Sequence, residues 1–197
     1  MSLEDVVERL KGDAEERSRW VGVFIGVLAV ILAICSSGGG NATKDAAHAN
    51  IQASDAWAFF QAKNIRRNSL TLAIDELELA LAAQPAMPAP TRAKFDAKIK
   101  DYREQIKKLT SDTTKMEGLD ELFQRARSLE ATRDLALRKD PYFDTSQALL
   151  QIAIVLASVH LIIGNLWLLA MSGALGVAGF LLMLDGFTLA IRLPFLG

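Results

Sequence analysis

Three stretches of the chain are apolar almost without interruption. Trp20 to Cys35 carries no charge, and Ser36, Ser37 and the glycines Gly38 to Gly40 lengthen it to about the thickness of a bilayer. A second run covers about Gln147 to Ala170 and a third about Gly173 to Leu193. Each is long enough to cross a membrane as a helix. The joint expected at Met171 and Ser172 is so short that the second and third spans must form an antiparallel hairpin.

Between the first and second spans the pattern changes to a helical period with charged outer positions. Leu70, Ile74, Leu77 and Leu81 recur at steps of four, three and four, and Phe95, Ile99, Tyr102, Ile106 and Leu109 recur in the same way. The segment between these stripes, residues 84–91, holds Pro85, Pro88 and Pro90 and reads as a turn. Two apolar seams joined by a turn describe an antiparallel helical hairpin, each arm burying its seam on the other or on a neighbouring subunit. Lys63 and Arg67 interrupt the first seam, so packing is expected to be looser there. The triple glycine at Gly38 to Gly40 and Gly118 are the expected bends.

The expected fold is an all-α membrane protein with three transmembrane helices and a long, coiled-coil-like antiparallel hairpin between the first and second. Its expected parts are an N-terminal cytoplasmic segment (1–19), transmembrane helix 1 with a glycine hinge (20–40), the extramembrane hairpin (41–140), and transmembrane helices 2 (144–170) and 3 (173–194). Asp140 and Pro141 should end the hairpin's last helix. Asp144 followed by Gln147 should cap the next. Six acids precede the first span and no clear cleavage site follows it, which favours an uncleaved anchor over a signal peptide. Trp20 and Trp167 fall near the expected lipid boundaries. Arg17 and Arg19 before the first span place the N-terminus in the cytoplasm and the hairpin outside, against the opposing evidence of Arg133, Arg138 and Lys139.

Composition narrows the function classes. A net charge of -1 provides no field for nucleic acid. The one cysteine, Cys35, excludes an intrachain disulfide and a cysteine metal site, and reads as packing. No phosphate loop, nucleophile elbow or metal motif occurs, so no cofactor or catalysis is expected.

Three groups of residues remain as candidates. His160 and Asp185 lie inside the second and third spans and, measured from the expected turn, fall near the bilayer midplane at similar depth. They could be a proton or ion-pathway pair, or a buried hydrogen bond that locks the hairpin; two polar groups alone favour the lock. Gly22 and Gly26, with Ala29 and Ala33 at the same spacing, and Gly173, Gly176 and Gly179 are small-residue faces on which helices could associate. Trp57, Phe60, Gln61 and Asn64 make an aromatic, half-polar patch that is either a partner-docking surface or the packed base of the hairpin.

Two stretches carry a family likeness: Gln52-Ala53-Ser54-Asp55-Ala56-Trp57-Ala58-Phe59-Phe60-Gln61-Ala62-Lys63, and Ala148 to Ser158. On these, the chain resembles the bacterial membrane family catalogued as domain of unknown function 4337. The resemblance implies an inner-membrane protein of this arrangement and transfers no activity. Such relatives tend to carry basic residues after the second span, whereas Ile163 to Trp167 here is uncharged. The expected function is a self-associating scaffold or accessory protein, not an enzyme, whose partners are membrane lipid, further copies of itself and a larger membrane complex. The alternative is a small oligomeric ion or proton channel, or transporter component, that uses His160 and Asp185.

Overall fold

The computed structural model describes the backbone of residues 3–191 and 193, and the side chains of residues 16, 18–191 and 193. The described residues form four helices and no strand: α1 (Leu3–Ala83), α2 (Ala89–Thr110), α3 (Leu119–Ile163) and α4 (Leu166–Thr188). Three of these are long and apolar enough to cross a membrane: the part of α1 from Ser18 onward, α3 and α4. Contacts divide the chain into two compact units, residues 1–46 with 134–197, and residues 47–133.

In the first unit α1, the second half of α3 and α4 pack around Leu28, Cys35, Phe143, Leu150, Ala153 and Met183. Leu28 meets Gly176, and Phe187 meets Gly38. The offset between these partners is nearly constant, so α1 and α4 run in the same direction. Ser146 bonds Gly179 and Ser172 bonds Ala153, so α3 runs against α4. The offset puts Trp20 level with Leu168, beside Trp167. Both tryptophans are exposed, at 68% and 77%. A bilayer-length helix then carries α1 from Trp20 to about Gly40, some twenty residues or about 30 Å. Val23, Val30, Val155, Ile162, Val177 and Leu181 face outward and are more than half exposed, an apolar surface compatible with lipid.

Three boundary expectations are corrected here. The connection between the last two apolar helices lies at Gly164 and Asn165, not at Met171 and Ser172, so α3 ends at Ile163 and α4 covers Leu166–Thr188, against the expected 144–170 and 173–194. Gly164 adopts a positive φ of 74°, which favours glycine, and the Asn165 side chain caps α4 by accepting from Trp167 N at 3.0 Å. Pro141 does not end a helix; it lies inside α3, and Asp144 is an exposed mid-helix residue rather than a cap. Tyr142 and Phe143, directly after the proline, are almost fully buried. We attribute the continuation of the helix to their packing, which opposes the cost of about 3 kcal/mol or more for an interior proline.

Finally, Gly38 to Gly40 are not a hinge but part of the continuous α1. A Cβ on Gly38 would come 2.7 Å from Phe143 Cε1 and 2.8 Å from Phe187 Cζ, and one on Gly39 would come 3.1 Å from Phe143 Cβ. One on Gly186 would come 3.2 Å from the same ring. The glycines form a socket for Phe143. At Gly38, Gly39 and Gly186 close approach, not flexibility, is what the missing side chain supplies.

In the second unit the later part of α1 meets α2 and the start of α3 in reversed order. Glu78 pairs with Arg103 at 2.6 Å, Trp57 Nε1 donates to Glu130 Oε1 at 2.9 Å, and Arg133 donates to Asn50 Oδ1 at 3.4 Å. Every seam position named above is buried or half-buried, with Ile74 and Ile99 the deepest of them. The proline turn occupies residues 84–88, closed by Met87 N donating to Gln84 O, and Pro90 sits in the first turn of α2, where its missing N–H costs nothing.

A second break, at residues 111–118, separates α2 from α3. Glu121 holds this loop: Ser111 Oγ donates to its Oε1 at 2.6 Å and Asp112 N to its Oε2 at 3.2 Å. Gly118 is required by contact rather than as a hinge, since a Cβ there would lie 2.5 Å from Asp112 N and 2.6 Å from Ser111 Cα. The Ser111 hydrogen bond keeps the Glu121 carboxyl below the usual carboxylate range, against the opposing charge of Asp112. A lowered folded pKa contributes stability that is present above the unfolded value, about 4.3, and is lost as pH falls through the folded value. Glu121→Ala should therefore loosen the loop at neutral pH and increase trypsin cleavage after Lys115, while in strong acid the parent and variant loops should exchange amide protons alike. Equal cleavage at neutral pH would show that Glu121 does not hold it.

Candidate functional site

The buried polar groups of the first unit, Cys35, Ser146, His160, Ser172 and Asp185, each bond the backbone of a neighbouring turn or helix. Cys35 Sγ donates to Ser146 Oγ at 3.2 Å, and Ser146 Oγ donates to Gly179 O at 2.6 Å. This relay links α1, α3 and α4 at one level, with Cys35 and Ser146 both fully buried. Ser172 Oγ donates to Ala153 O at 2.6 Å and repeats the α3 to α4 link. A hydroxyl bonded across helices in an apolar setting contributes about 0.6 kcal/mol on average, up to about 2. The arrangement fastens helices.

His160 and Asp185 are both buried, as the sequence suggested, but no hydrogen bond or ion pair joins them among the described residues. His160 Nδ1 is 2.9 Å from Asn165 O; a carbonyl only accepts, so Nδ1 carries the proton. His160 O in turn accepts from Gly164 N at 2.8 Å. The imidazole braces the Gly164–Asn165 connection. Asp185 Oδ1 accepts from Ile191 N at 2.9 Å, and its carbonyl accepts from Leu189 N, where the chain leaves α4 through a left-handed residue. Tyr142 Oη donates to Ile191 O at 3.0 Å and accepts from Leu193 N at 3.1 Å. Asp185 and Tyr142 together hold the segment after α4. His160 stands one helical turn before Gly164, whereas Asp185 lies twenty residues after Asn165, roughly 30 Å along α4. The expected equal depth depended on the misplaced turn.

Of the expected association residues, Gly176 and Gly179 are filled from within the chain. A Cβ on Gly176 would come 2.9 Å from Leu28 Cδ2, and one on Gly179 would come 2.9 Å from Leu150 Cγ. Gly22, Gly26 and Gly173 have nothing within 4 Å. Gly22 and Gly26 lie with Ala29 and Ala33 on an exposed side of α1, roughly 130° around the helix from Val21, Leu28 and Cys35, which pack inward.

In the second unit Trp57, Phe60 and Phe123 form a cluster with centroids 5.5 to 6.3 Å apart, Trp57 standing edge-on to both phenylalanines. Trp57 and Phe60 are half-buried in it, Asn64 is half-buried, and Gln61 is exposed. Lys63, the irregularity in the seam, is mostly covered; its ammonium caps Glu117 O, lies 3.7 Å from the Glu117 carboxylate and sits 4.7 Å over the Phe59 ring. The sequence showed the aromatics but not Phe123 or Glu130, which come from sixty and more residues away. An open depression of about 660 Å³ lies beside Met116, Glu121 and Arg125. Among the described residues no group of three metal-ligating side chains gathers.

No curated protein and no solved structure matches the chain. Residues 17–189 match the family model described as Domain of unknown function (DUF4337), as the two motif stretches suggested. Since that match spans nearly all of its 197 residues, the chain belongs to the DUF4337 family.

Proposed function

We propose that the protein is a non-catalytic, self-associating membrane scaffold or accessory subunit, multi-pass in a bacterial inner membrane, with residues 47–133 as a helical hairpin stalk on the side opposite a cytoplasmic N-terminus. The observation that carries this reading is the unfilled Gly22 and Gly26 face. Elsewhere in the same unit Gly38, Gly39, Gly176, Gly179 and Gly186 each receive a neighbouring side chain, whereas Gly22 and Gly26 keep the GxxxG spacing with no neighbour within 4 Å. A second copy's helix fits such a face, because small residues let backbones approach. The ion-pathway reading loses its main support with the separation of His160 and Asp185.

The test is the association state of the full chain in detergent and in membranes. The parent should be oligomeric, and Gly22→Leu with Gly26→Leu should weaken association by on the order of tenfold or more, each tenfold being about 1.4 kcal/mol. Gly40→Leu, which also faces open space, serves as the control and should leave association unchanged. A monomeric parent, or an oligomer indifferent to both glycines, would remove the reading.

A further inference from the structure

In the second unit α1 carries an outer seam that the chain itself does not cover. Ile51, Ala58, Ile65, Leu72 and Leu79 recur every seven residues, and all are exposed. The four large ones are 58%, 66%, 63% and 70% exposed. They stand about 180° around the helix from the buried side that holds Ala53, Ala56 and Ile74. From Ala58 onward the interleaved positions are Ala62, Ser69, Glu76 and Ala83, giving the four-three spacing of a coiled-coil seam. Six charged residues fall between Ala58 and Ala83, and only Glu76 lies on this seam.

We propose that this seam is a contact with a second copy of the same chain, α1 against α1, parallel and in register. The inference rests on the self-association reading and names where the stalks meet. Three observations select the occupant. A repeat of seven rather than a scattered apolar surface suits another helix, since it keeps one face toward a partner along a supercoil. A seam with few charges lets identical positions meet without rows of like charge; Asp55, between Ile51 and Ala58, and Glu76 are the two exceptions. The footprint also limits the choice. The seam runs about 42 Å at 1.5 Å per residue and is about 10 Å wide, so a pair buries on the order of 800 Å². That falls short of the roughly 1,200 Å² of a stable soluble complex. A copy anchored in the same membrane needs less, because tethering raises its effective concentration and fixes the parallel orientation.

The test uses the full chain in its membranes, oxidised after introducing Ile65→Cys, Leu72→Cys or, on the flank, Thr71→Cys. Ile65→Cys and Leu72→Cys should give a disulfide-linked dimer of twice the chain mass at about tenfold the yield of Thr71→Cys, as a fixed register rather than random collision requires. Glu76→Gln in the Leu72→Cys chain should raise that yield by removing the like-charge contact nearest the introduced cysteine. Equal yields at all three positions, or adducts of another mass, would overturn the inference. Absent adducts in a chain whose oligomer still depends on Gly22 and Gly26 would overturn it alone; absent adducts in a monomeric chain would overturn the functional reading as well.

Discussion

Gly38→Ala should destabilise the first unit, while Gly40→Ala, two residues along the same helix, should leave it unchanged or make it more stable. In a helix interior alanine is favoured over glycine by about 0.8 to 1 kcal/mol, so both substitutions start with the same gain. They differ in what the new methyl meets. At Gly40 it meets nothing within 4 Å, whereas at Gly38 it meets the rings of Phe143 and Phe187 at 2.7 and 2.8 Å. Phe143 is 1% exposed and stacks edge-on with Phe187 at 4.9 Å, so its ring has no room to retreat even though Phe187, 48% exposed, can give way. Overpacking of this kind costs about 1 to 3 kcal/mol. Phe143→Ala should cost more, about 3 to 5 kcal/mol, because it empties the socket. The double variant Gly38→Ala with Phe143→Ala should then lose less than the sum, the methyl occupying part of the vacated space. Thermal unfolding of the four chains in one detergent measures all of this. If the triple glycine were a hinge, Gly38→Ala and Gly40→Ala would behave alike.

That contrast shows what local sequence carries and what it does not. The three apolar runs and the two heptad seams were legible because each is a property of one segment, set by length or by period. The positions of the breaks were not. Within an unbroken apolar stretch hydropathy gives no signal for a turn, so the joint between the last two spans was expected seven residues too late. Gly164 followed by Asn165 was the available signal, a glycine able to take positive φ before an N-cap residue, and neither Met171 nor Ser172 offers one of that kind. Pro141 and the glycines at 38 to 40 misled in the opposite sense. Their local preference is to break a helix, but Phe143 couples them through a contact more than one hundred residues apart, and tertiary packing overrides propensity. The 111–118 loop was expected only as a bend at Gly118; the run Thr110-Ser111-Asp112-Thr113-Thr114 was the further signal, and the loop's stabilising acid, Glu121, lies inside the next helix.

The polar candidates follow the same logic. His160 and Asp185 were correctly expected to be buried, because ionisable groups in an apolar run seldom face lipid. Their pairing was an inference from depth, and depth was measured from the wrong turn. Once the turn moves, each finds a backbone partner within six residues of itself. Trp57 and Phe60 show the converse case, in which the residues were visible in sequence but their partners, Phe123 and Glu130, were not.

Asp185→Ala and Tyr142→Phe should each release the segment that follows α4, while Asp185→Asn should keep it. The distinction comes from the inventory of donors and acceptors. Asp185 uses one carboxylate oxygen to accept from Ile191 N, and an asparagine amide oxygen at the same position accepts equally well. Alanine offers no acceptor and leaves the Ile191 amide without its partner. Tyr142 both donates to Ile191 O and accepts from Leu193 N, so removing its hydroxyl frees two backbone groups at once. These bonds are part-buried, and each contributes about 0.5 to 1.5 kcal/mol. The double variant Asp185→Ala with Tyr142→Phe should therefore detach the segment at a local cost of several kcal/mol, read as faster amide exchange at Ile191 and Leu193 and faster trimming by carboxypeptidase. The bundle contacts at Ser146 and Ser172 do not involve these groups, and global unfolding should change less than the local exchange. An ion-conducting role for Asp185 makes the opposite demand: charge, not acceptor geometry, would be essential, so Asp185→Asn would be the damaging change. Wild-type exchange and trimming in Asp185→Asn, with loss in Asp185→Ala, would assign Asp185 to holding the chain; loss in both would return the carboxylate's charge to consideration.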